Sequence, residues 1–401
     1  MLQKTKKRIL LFSTLSPYPF WAGSETFWFD FVTDKTAGAV LDFHLRLADS
    51  PVTRKMAGIA AESGATASFY NHFNVDFTRR NISRLRDKLR GRQVRTLPWY
   101  NEIRSRKYDL IWFNLDGLHN LLELEDGSAI CRERGIPYWI ILQHAYEDFF
   151  LGDERSIEAV SQISTSARRF IFVAKRNQRS LERAIGRPLD NAFHSANALS
   201  SRKITEANAI ASAWSPGVNE TARFFNLGRF SPKDKGQHLL LEALADPKWK
   251  DRNWSLSFIG VSGAGRSYLE RLIAFFGLDA AKMEIVPFTD DVFSEIAKND
   301  VLLMPSLAEG TPYAMIESMA CGRPAVGTPV GGIPELITDG ENGWLARTID
   351  VSDIAAALEQ TWEDRERWAN MGKLAAARIA EEFNENRTHN DLMKAIAEDL
   401  A

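Results

Sequence analysis

Apolar residues occur along this chain in short continuous runs, and each run leads into a polar or glycine-containing loop and then into a stretch with helical spacing. A strand covered on both faces has no polar side, so runs of about four to eight residues predict buried parallel strands. Strands that alternate with helices predict a doubly wound α/β architecture. The predicted strands are 8–13, 108–114, 137–144, 169–173, 222–227, 255–259, 284–288 and 301–304.

The alternation weakens after Asn197, where residues 200–220 are polar and rich in alanine and include Ser215-Pro216-Gly217 near their end. A length of 401 residues suits two domains, each of roughly 200 residues. We therefore predict a first domain over 1–216, a second domain over 217–380 and a final helical segment over 381–401.

Residues 305–344 carry the most specific pattern, PSLAEGTPYAMIESMACGRPAVGTPVGGIPELITDGENGW, which combines a strand end, a glycine break, a short helix, a strand and a glycine turn. Thr311 is a favourable N-cap and Pro312 suits the first helical position, so a helix is predicted to begin there. The N–H groups of residues 313–315 would then face outward. With the positive end of the helix dipole they predict a phosphate site.

Two carboxylates lie beside this predicted helix start, Glu309 in the preceding loop and Glu317 inside the helix. They would repel a phosphate alone, so we interpret them as acceptors for neutral hydroxyl groups on either side of the phosphate. A nucleoside diphosphate sugar has this order of groups: a ribose diol, a diphosphate and the sugar hydroxyls.

Two cations follow the predicted strand 222–227. Arg229 comes directly after the strand, and Lys235 begins a segment in which Leu240, Leu241 and Leu244 share one helical face. Cations at the start of a helix would neutralise a diphosphate leaving group.

At these residues the chain resembles the retaining GT-B glycosyltransferases of family 4. Glu309 and Glu317 match the family's E-x7-E motif, and Gly322-Arg323-Pro324 and Gly331-Gly332-Ile333-Pro334-Glu335 match its next block. The resemblance implies a GT-B fold, in which two doubly wound Rossmann-like domains face each other across a cleft. The first domain would bind the acceptor, the second would bind the nucleotide sugar, and the last helix would cross back to the first domain.

The resemblance also implies roles for individual residues. Glu317 would hold the ribose hydroxyls, Glu309 would hold hydroxyls of the transferred sugar, and Arg229 and Lys235 would hold the diphosphate. Retention would use a front-face route, in which the leaving phosphate takes the proton of the acceptor. The expected catalytic residues are His144, Glu309, Arg229 and Lys235. The expected donor-binding residues are Gly23, Arg229, Lys235, Gly310, Thr311, Pro312, Tyr313, Ala314 and Glu317.

Two of these residues belong to the first domain. Gly23, in Gly23-Ser24-Glu25, matches the end of the family's glycine-rich loop, although Ala22 stands where a second glycine is common. His144 ends the predicted strand 137–144 and resembles a family histidine near the transferred sugar. Strand ends in α/β sheets bind ligands, so Asn114-Leu115-Asp116 is a further candidate.

Composition and charge limit the ligands and the cellular location that we expect for this chain. A formal net charge of -2 argues against nucleic-acid binding. Cys131 and Cys321 lack metal-ligand spacing, and the absence of an Asp-x-Asp loop predicts no metal and no cofactor beyond the sugar nucleotide. Residues 1–20 imitate a signal peptide, but a first buried strand explains them better. We therefore expect a cytoplasmic protein.

Residues 79–107 contain eleven basic residues against Asp87 and Glu102. A basic amphipathic helix with aromatic neighbours can lie on an anionic membrane surface at the inner face of the membrane, and a solvated rim of the acceptor cleft is the alternative. In either case the segment should face polyanionic lipid or an acidic acceptor. From this segment we hypothesise a glycan or lipid-linked acceptor, in cell-surface polysaccharide or lipid-linked glycan synthesis at the membrane.

Three other classes share this architecture. A phosphorylase needs a pyridoxal-phosphate lysine, and residues 305–344 contain no lysine. A nucleotide-sugar epimerase and a nucleotide-sugar-binding protein without transferase activity stay open as alternatives. The donor base, UDP or GDP, and the donor sugar are not specified by these motifs.

Overall fold

A computed structural model provides the coordinates of the chain. Gly23 and most of the basic segment 79–107 lie outside the residues that it describes. The described residues are 7–13, 39–45, 58, 61–62, 67–69, 100–105, 107–217, 220–261 and 263–400.

The chain divides into two compact units. The first comprises Met1–Ser195 together with His389–Ala401, and the second comprises Ala196–Thr388. The sequence predicts the division at 216/217 instead. The difference arises because the Ser201–Ala213 helix belongs to the second unit, where Ala211 lies directly beside Gly322.

The first unit contains a parallel sheet. Among the described residues the strands lie in the spatial order Ala67–Phe69, Ala39–Leu45, Lys7–Ser13, Leu110–Gly117, Tyr138–Tyr146, Arg169–Phe172 and Ala192–His194. The four predicted strands are confirmed, and the Leu110–Gly117 strand begins later and runs further than expected. The described helices are Tyr100–Ser105, Leu118–Leu124, Glu125–Arg134, Glu154–Ser166 and Lys175–Ile185.

The second unit contains another parallel sheet, and its four predicted strands are also confirmed. In spatial order the strands are Met283–Val286, Trp254–Ile259, Ala222–Leu227, Val301–Met304, Ala325–Gly327 and Gly343–Leu345. The longer helices are Ser201–Ala213, Gln237–Leu244, Ala264–Phe275, Tyr313–Ala320, Val351–Glu363 and Trp368–Glu382. The shorter ones are Pro232–Lys235, Pro247–Trp249, Ala280–Lys282, Val292–Ala297, Ile333–Leu336 and Arg365–Arg367. The last helix, Glu385–Leu400, begins in the second unit and belongs to the first unit from His389 onward.

The order of strands along the chain reverses once in each sheet. In the second unit the reversal falls between Ala222–Leu227 and Val301–Met304, which pair in parallel with Phe225 opposite Leu302. Ligands of doubly wound sheets bind at the carboxyl ends of the strands at such a point. The loops after Leu227 and Met304 are therefore expected to form a ligand-binding site.

The last helix is anchored in the first unit by a buried carboxylate. The side chain of Asp399 is fully buried and accepts hydrogen bonds from Trp139 Nε1 at 2.8 Å, Arg169 Nε at 2.8 Å and Arg168 Nε at 3.0 Å. Burial alone would raise the pKa of Asp399, but the hydrogen bonds from Arg169, Trp139 and Arg168 outweigh it, so the pKa is lowered. The ionised form is the one that the fold stabilises.

Replacing Asp399 with asparagine should lower the free energy of unfolding at pH 7 by about 1–3 kcal/mol, because two arginines lose a buried anionic acceptor. A lowered pKa gives stability that is present above the unfolded value of about 3.9 and is lost as the pH falls through the folded value. The deficit of the variant, measured from urea midpoints, should therefore shrink below about pH 3.9.

Glu398→Gln is the matched control. Glu398 pairs with Arg169 at 2.7 Å, but its side chain is half exposed, so its removal should change stability by less than about 1 kcal/mol. Equal losses for the two variants, or a deficit for D399N that does not depend on pH, would contradict the role of Asp399.

Candidate functional site

The two loops at the reversal point of the second sheet are held together by an ion pair. Glu309 is buried, and its Oε1 atom accepts hydrogen bonds from Lys235 Nζ at 2.6 Å and Ser306 Oγ at 2.8 Å. The sequence predicts separate ligand contacts for Lys235 and Glu309. The structure brings the two side chains into direct contact.

The backbone around this ion pair packs closely enough to require glycine. Gly236 has a φ of 62°, and a Cβ atom there would overlap the carbonyl oxygen of Pro305. Leu307 N donates to the carbonyl oxygen of Asp234 at 2.8 Å. Lys235 is therefore the last residue of the Pro232–Lys235 helix, and it does not begin a longer helix as the sequence predicts. The αL conformation of Gly236 separates the two helices.

A second glycine turn closes over the loop that carries Glu309. Gly331 has a φ of 50°, and a Cβ atom there would overlap the Glu309 carbonyl, while Gly332 N donates to Gly310 O at 2.7 Å. The hydroxyl of Thr328 donates to the Ser306 carbonyl. These contacts give a physical reason for the Gly331-Gly332 motif, which lets one backbone lie directly on another.

Arg229 lies in the loop after the Ala222–Leu227 strand, about half exposed, and its Nη2 atom donates to Asp234 Oδ2 at 2.9 Å. The fully buried Gln237 holds this loop. Its Nε2 atom donates to Arg229 O at 2.9 Å and to Asn226 Oδ1 at 3.3 Å, and its Oε1 atom accepts from Ser231 N at 3.3 Å. The sequence prediction missed Gln237 and Asn226. Each of these amides borders an apolar run in the sequence, and that position was the signal that could have identified them as buried polar residues.

The helix after Glu309 begins one residue later than predicted. Pro312 is the N-cap, with a ψ of 117°, and Tyr313–Ala320 is the helix. The expectation that the Met315 N–H faces outward is wrong, because this group donates to Pro312 O at 3.1 Å. Thr311 is not the cap. It is buried, and its carbonyl oxygen accepts from Asn197 Nδ2 at 2.7 Å.

Glu317 lies one turn into this helix and is largely buried. Its Oε1 atom lies 3.0 Å from Nζ of Lys203, a residue of the Ser201–Ala213 helix that the sequence prediction missed. Glu309 and Glu317 are therefore each paired with a lysine. The four charges balance within the second unit.

Arg323 of the Gly322-Arg323-Pro324 motif is a structural residue. Its guanidinium is buried, donates to the carbonyl oxygens of Ala297, Asn299 and Cys321 at 3.0, 2.7 and 2.6 Å, and lies 4.7 Å from the ring centroid of Trp214. Burial lowers its pKa to about 10. Arg323 thus holds together the segments that lead into the Val301–Met304 and Ala325–Gly327 strands.

His144 lies in the first unit, in the Tyr138–Tyr146 strand. Its Nδ1 atom is 2.8 Å from Asp116 O, and since a carbonyl only accepts, Nδ1 donates this hydrogen bond. Asn114 is buried between Ser13 and Gln143, with hydrogen bonds of 3.2 and 2.9 Å, so it is a core amide rather than a ligand contact. Gly23 cannot be placed, because it lies outside the described residues.

Comparison with solved structures defines the class of fold. The chain is similar to Anabaena HepE in complex with UDP, with a TM-score of 0.71, 18% identity and coverage of 98% of this chain and 100% of that one. It is also similar to sucrose-phosphate synthase from Thermosynechococcus elongatus, with a TM-score of 0.70, 17% identity and coverage of 98% of both chains. The predicted GT-B class, with two doubly wound Rossmann-like domains, is confirmed.

Sequence comparison then finds a matching family. The family described as Glycosyl transferases group 1 matches residues 221–364. N-acetyl-alpha-D-glucosaminyl L-malate synthase of Bacillus anthracis is 37% identical over 24% of this chain and 26% of its own length. D-inositol 3-phosphate glycosyltransferase of Paenarthrobacter aurescens is 35% identical over 34% of each chain. The matches thus span about a quarter to a third of these relatives.

The glycine turn predicts a difference between two single substitutions. Gly331→Ala should destabilise the protein by about 1–3 kcal/mol more than Gly340→Ala, because a Cβ at Gly331 overlaps a carbonyl. Gly340 is the control, since it also has a positive φ, 74°, but open space around a Cβ. Melting temperatures of the two variants measure the difference. Equal shifts would contradict the close packing at Gly331.

Proposed function

We propose that the chain is a retaining glycosyltransferase that moves a sugar from a nucleoside diphosphate sugar to an acceptor hydroxyl. The contact between Lys235 Nζ and Glu309 Oε1, 2.6 Å apart, carries the proposal. In a sugar nucleotide the terminal phosphate and the sugar ring are joined at one oxygen. A cation that binds phosphate and a carboxylate that accepts from sugar hydroxyls must therefore lie side by side.

The remaining donor contacts follow from the same placement. Arg229 and Lys235 would hold the diphosphate, with help from the start of the Tyr313–Ala320 helix. Glu317 would accept hydrogen bonds from the ribose. His144 stays a candidate for contact with the transferred sugar.

The environment of Glu309 favours the front-face route. A nucleophilic carboxylate must approach the anomeric carbon, but Oε1 of Glu309 is already bound by Lys235 and Ser306 in a buried position. In the front-face route the acceptor oxygen bonds to the anomeric carbon on the face from which the phosphate leaves, and a phosphate oxygen takes the acceptor proton. Arg229 and Lys235 would stabilise the developing diphosphate charge.

The donor proposal begins with UDP-sugars. Solved structures of Anabaena HepE contain UDP and, in another complex, UDP-glucose, and the second is similar to this chain with a TM-score of 0.69 and 17% identity. GDP-sugars are the second choice. An epimerase or a binding protein without activity is the alternative, and donor turnover with and without an acceptor distinguishes them.

The acceptor proposal rests on a relative. The amylovoran biosynthesis glycosyltransferase AmsK of Erwinia amylovora is 29% identical over 45% of this chain, which supports a role in polysaccharide or lipid-linked glycan synthesis. Within the described ranges every helix is too short or too polar to cross a bilayer. A cytoplasmic location with peripheral attachment at the inner face of the membrane through 79–107 stays a proposal. Flotation with anionic liposomes tests it.

Glu309→Gln should lower sugar transfer at least about 100-fold while UDP affinity stays within about threefold, because the lost contact is to the sugar. Lys235→Met should weaken UDP binding about tenfold or more, because it removes the phosphate cation and leaves a buried carboxylate unpaired. Calorimetry with UDP and GDP, and UDP or GDP release from a panel of sugar donors, measure both effects. Lys298→Met is the control, since Lys298 is mostly exposed and pairs with Glu295 three residues before it in the chain.

Three results would contradict the proposal. Transfer by E309Q at the rate of the unmodified protein would remove the role of Glu309. Nucleotide binding without turnover of any donor would favour the binding protein. Interconversion of donor epimers without an acceptor would favour the epimerase.

We also predict that chelation with EDTA leaves the transfer rate unchanged, because Arg229 and Lys235 supply the charge that a metal would otherwise supply. The rate is compared before and after chelation, and again after adding Mg²⁺ or Mn²⁺. Loss of turnover that is restored by either ion would show that the reaction needs a metal.

A further inference from the structure

Lys203 meets Glu317 at a position that local stability does not explain. Lys203 lies in the first turn of the Ser201–Ala213 helix, next to Arg202, and this turn contains no acidic residue. Cations near the positive end of a helix dipole are unfavourable by about 0.3–1 kcal/mol. The Lys203 side chain is 42% exposed, and an ion pair with such exposure contributes about 0–1 kcal/mol. The unfavourable dipole interaction and the favourable ion pair therefore roughly cancel in the free energy of folding.

The segment that carries Lys203 is fixed against the Tyr313–Ala320 helix. Asn197 Nδ2 donates to Thr311 O at 2.7 Å, and the Tyr313 hydroxyl donates to Ala198 O at 2.8 Å. Tyr313 and Glu317 are four residues apart, so they share one face of their helix. The segment 197–203 therefore runs along the face that presents Glu317.

The segment is also held from its other side. Leu199 N donates to Phe383 O, and Glu385 N donates to Leu199 O, each at 2.9 Å. Ser200 Oγ accepts from Lys203 N at 3.3 Å and caps the helix. Lys203 is thus presented to Glu317 from a well-anchored backbone.

The two side chains have complementary hydrogen-bonding capacity. The ammonium group of Lys203 has three N–H donors, of which one points to Glu317 Oε1, and the carboxylate only accepts. Each hydroxyl of a vicinal diol both donates and accepts. An adjacent ammonium and carboxylate can therefore satisfy both capacities of a diol at once.

We propose that Lys203 and Glu317 together recognise the ribose diol of the donor, with Glu317 accepting from the hydroxyls and Lys203 donating to them. Lys203 is then a specificity-determining residue that selects ribonucleotides over 2′-deoxyribonucleotides. The inference rests on the proposed function, because it needs a nucleotide at Glu317.

Calorimetric titration of UDP, 2′-deoxy-UDP, GDP and 2′-deoxy-GDP against the full chain tests the proposal. Lys203→Met should weaken binding of the preferred ribonucleotide about tenfold, the loss of one charge-assisted hydrogen bond to a partly exposed group. Binding of the matching deoxynucleotide should change less than about twofold. The preference for ribose should therefore fall, and Glu317→Gln should lower it in the same way.

Lys298→Met is again the control and should keep the preference for ribose. The melting temperature of K203M should stay within about 2 °C of the unmodified protein, so that loss of folding is not the cause. An unchanged ratio of ribo to deoxy affinity in K203M would overturn the role of Lys203 alone. Equal weakening of both nucleotides would overturn it too, since that result indicates general support of the helix. Failure of the unmodified protein to bind any of the four nucleotides would overturn the proposed function together with this inference.

Discussion

The ion pair between Lys235 and Glu309 is the interaction on which the rest of the site depends. A carboxylate removed from water requires a partner, and taking that partner away leaves an uncompensated buried charge that costs about 3–5 kcal/mol. Lys235 and Ser306 supply that partner at the same oxygen atom. The loop after the Ala222–Leu227 strand and the loop after Val301–Met304 must therefore stay within hydrogen-bonding distance of each other.

That requirement explains the backbone around the pair. Gly236 lets its own backbone lie against the Pro305 carbonyl, and Gly331 allows a second turn to lie on the Glu309 carbonyl. Neither approach would be open to a residue with a Cβ atom. Gly236 and Gly331 are therefore needed for the same close packing that positions Glu309. This packing places a cation beside a carboxylate, which is the arrangement that a sugar phosphate needs.

Features that depend on neighbouring residues could be predicted from the sequence, whereas contacts between residues far apart in the chain could not. Buried strands such as 222–227 and 301–304 were predictable because a continuous apolar run reports its own burial. The resemblance implied that Glu309 and the cation loop bind one donor, but the direct contact between Lys235 and Glu309 was found only in the structure. The contact of Lys203 with Glu317 was not predictable, because it joins residues far apart in sequence and because the Ser201–Ala213 helix was assigned to the first domain. The start of the Tyr313–Ala320 helix was misplaced by one residue, since a Thr-Pro pair suits either of two cap positions.

The central claim is that Lys235 and Glu309 act as one unit toward the donor. Dissociation constants for UDP of the unmodified protein, K235M, E309Q and K235M/E309Q test it most directly, because a double-mutant cycle isolates the coupling between two residues. K235M should bind UDP weakly because Glu309 then repels the phosphate, and adding E309Q should recover about tenfold of the lost affinity. Losses that simply multiply in the double variant would contradict it.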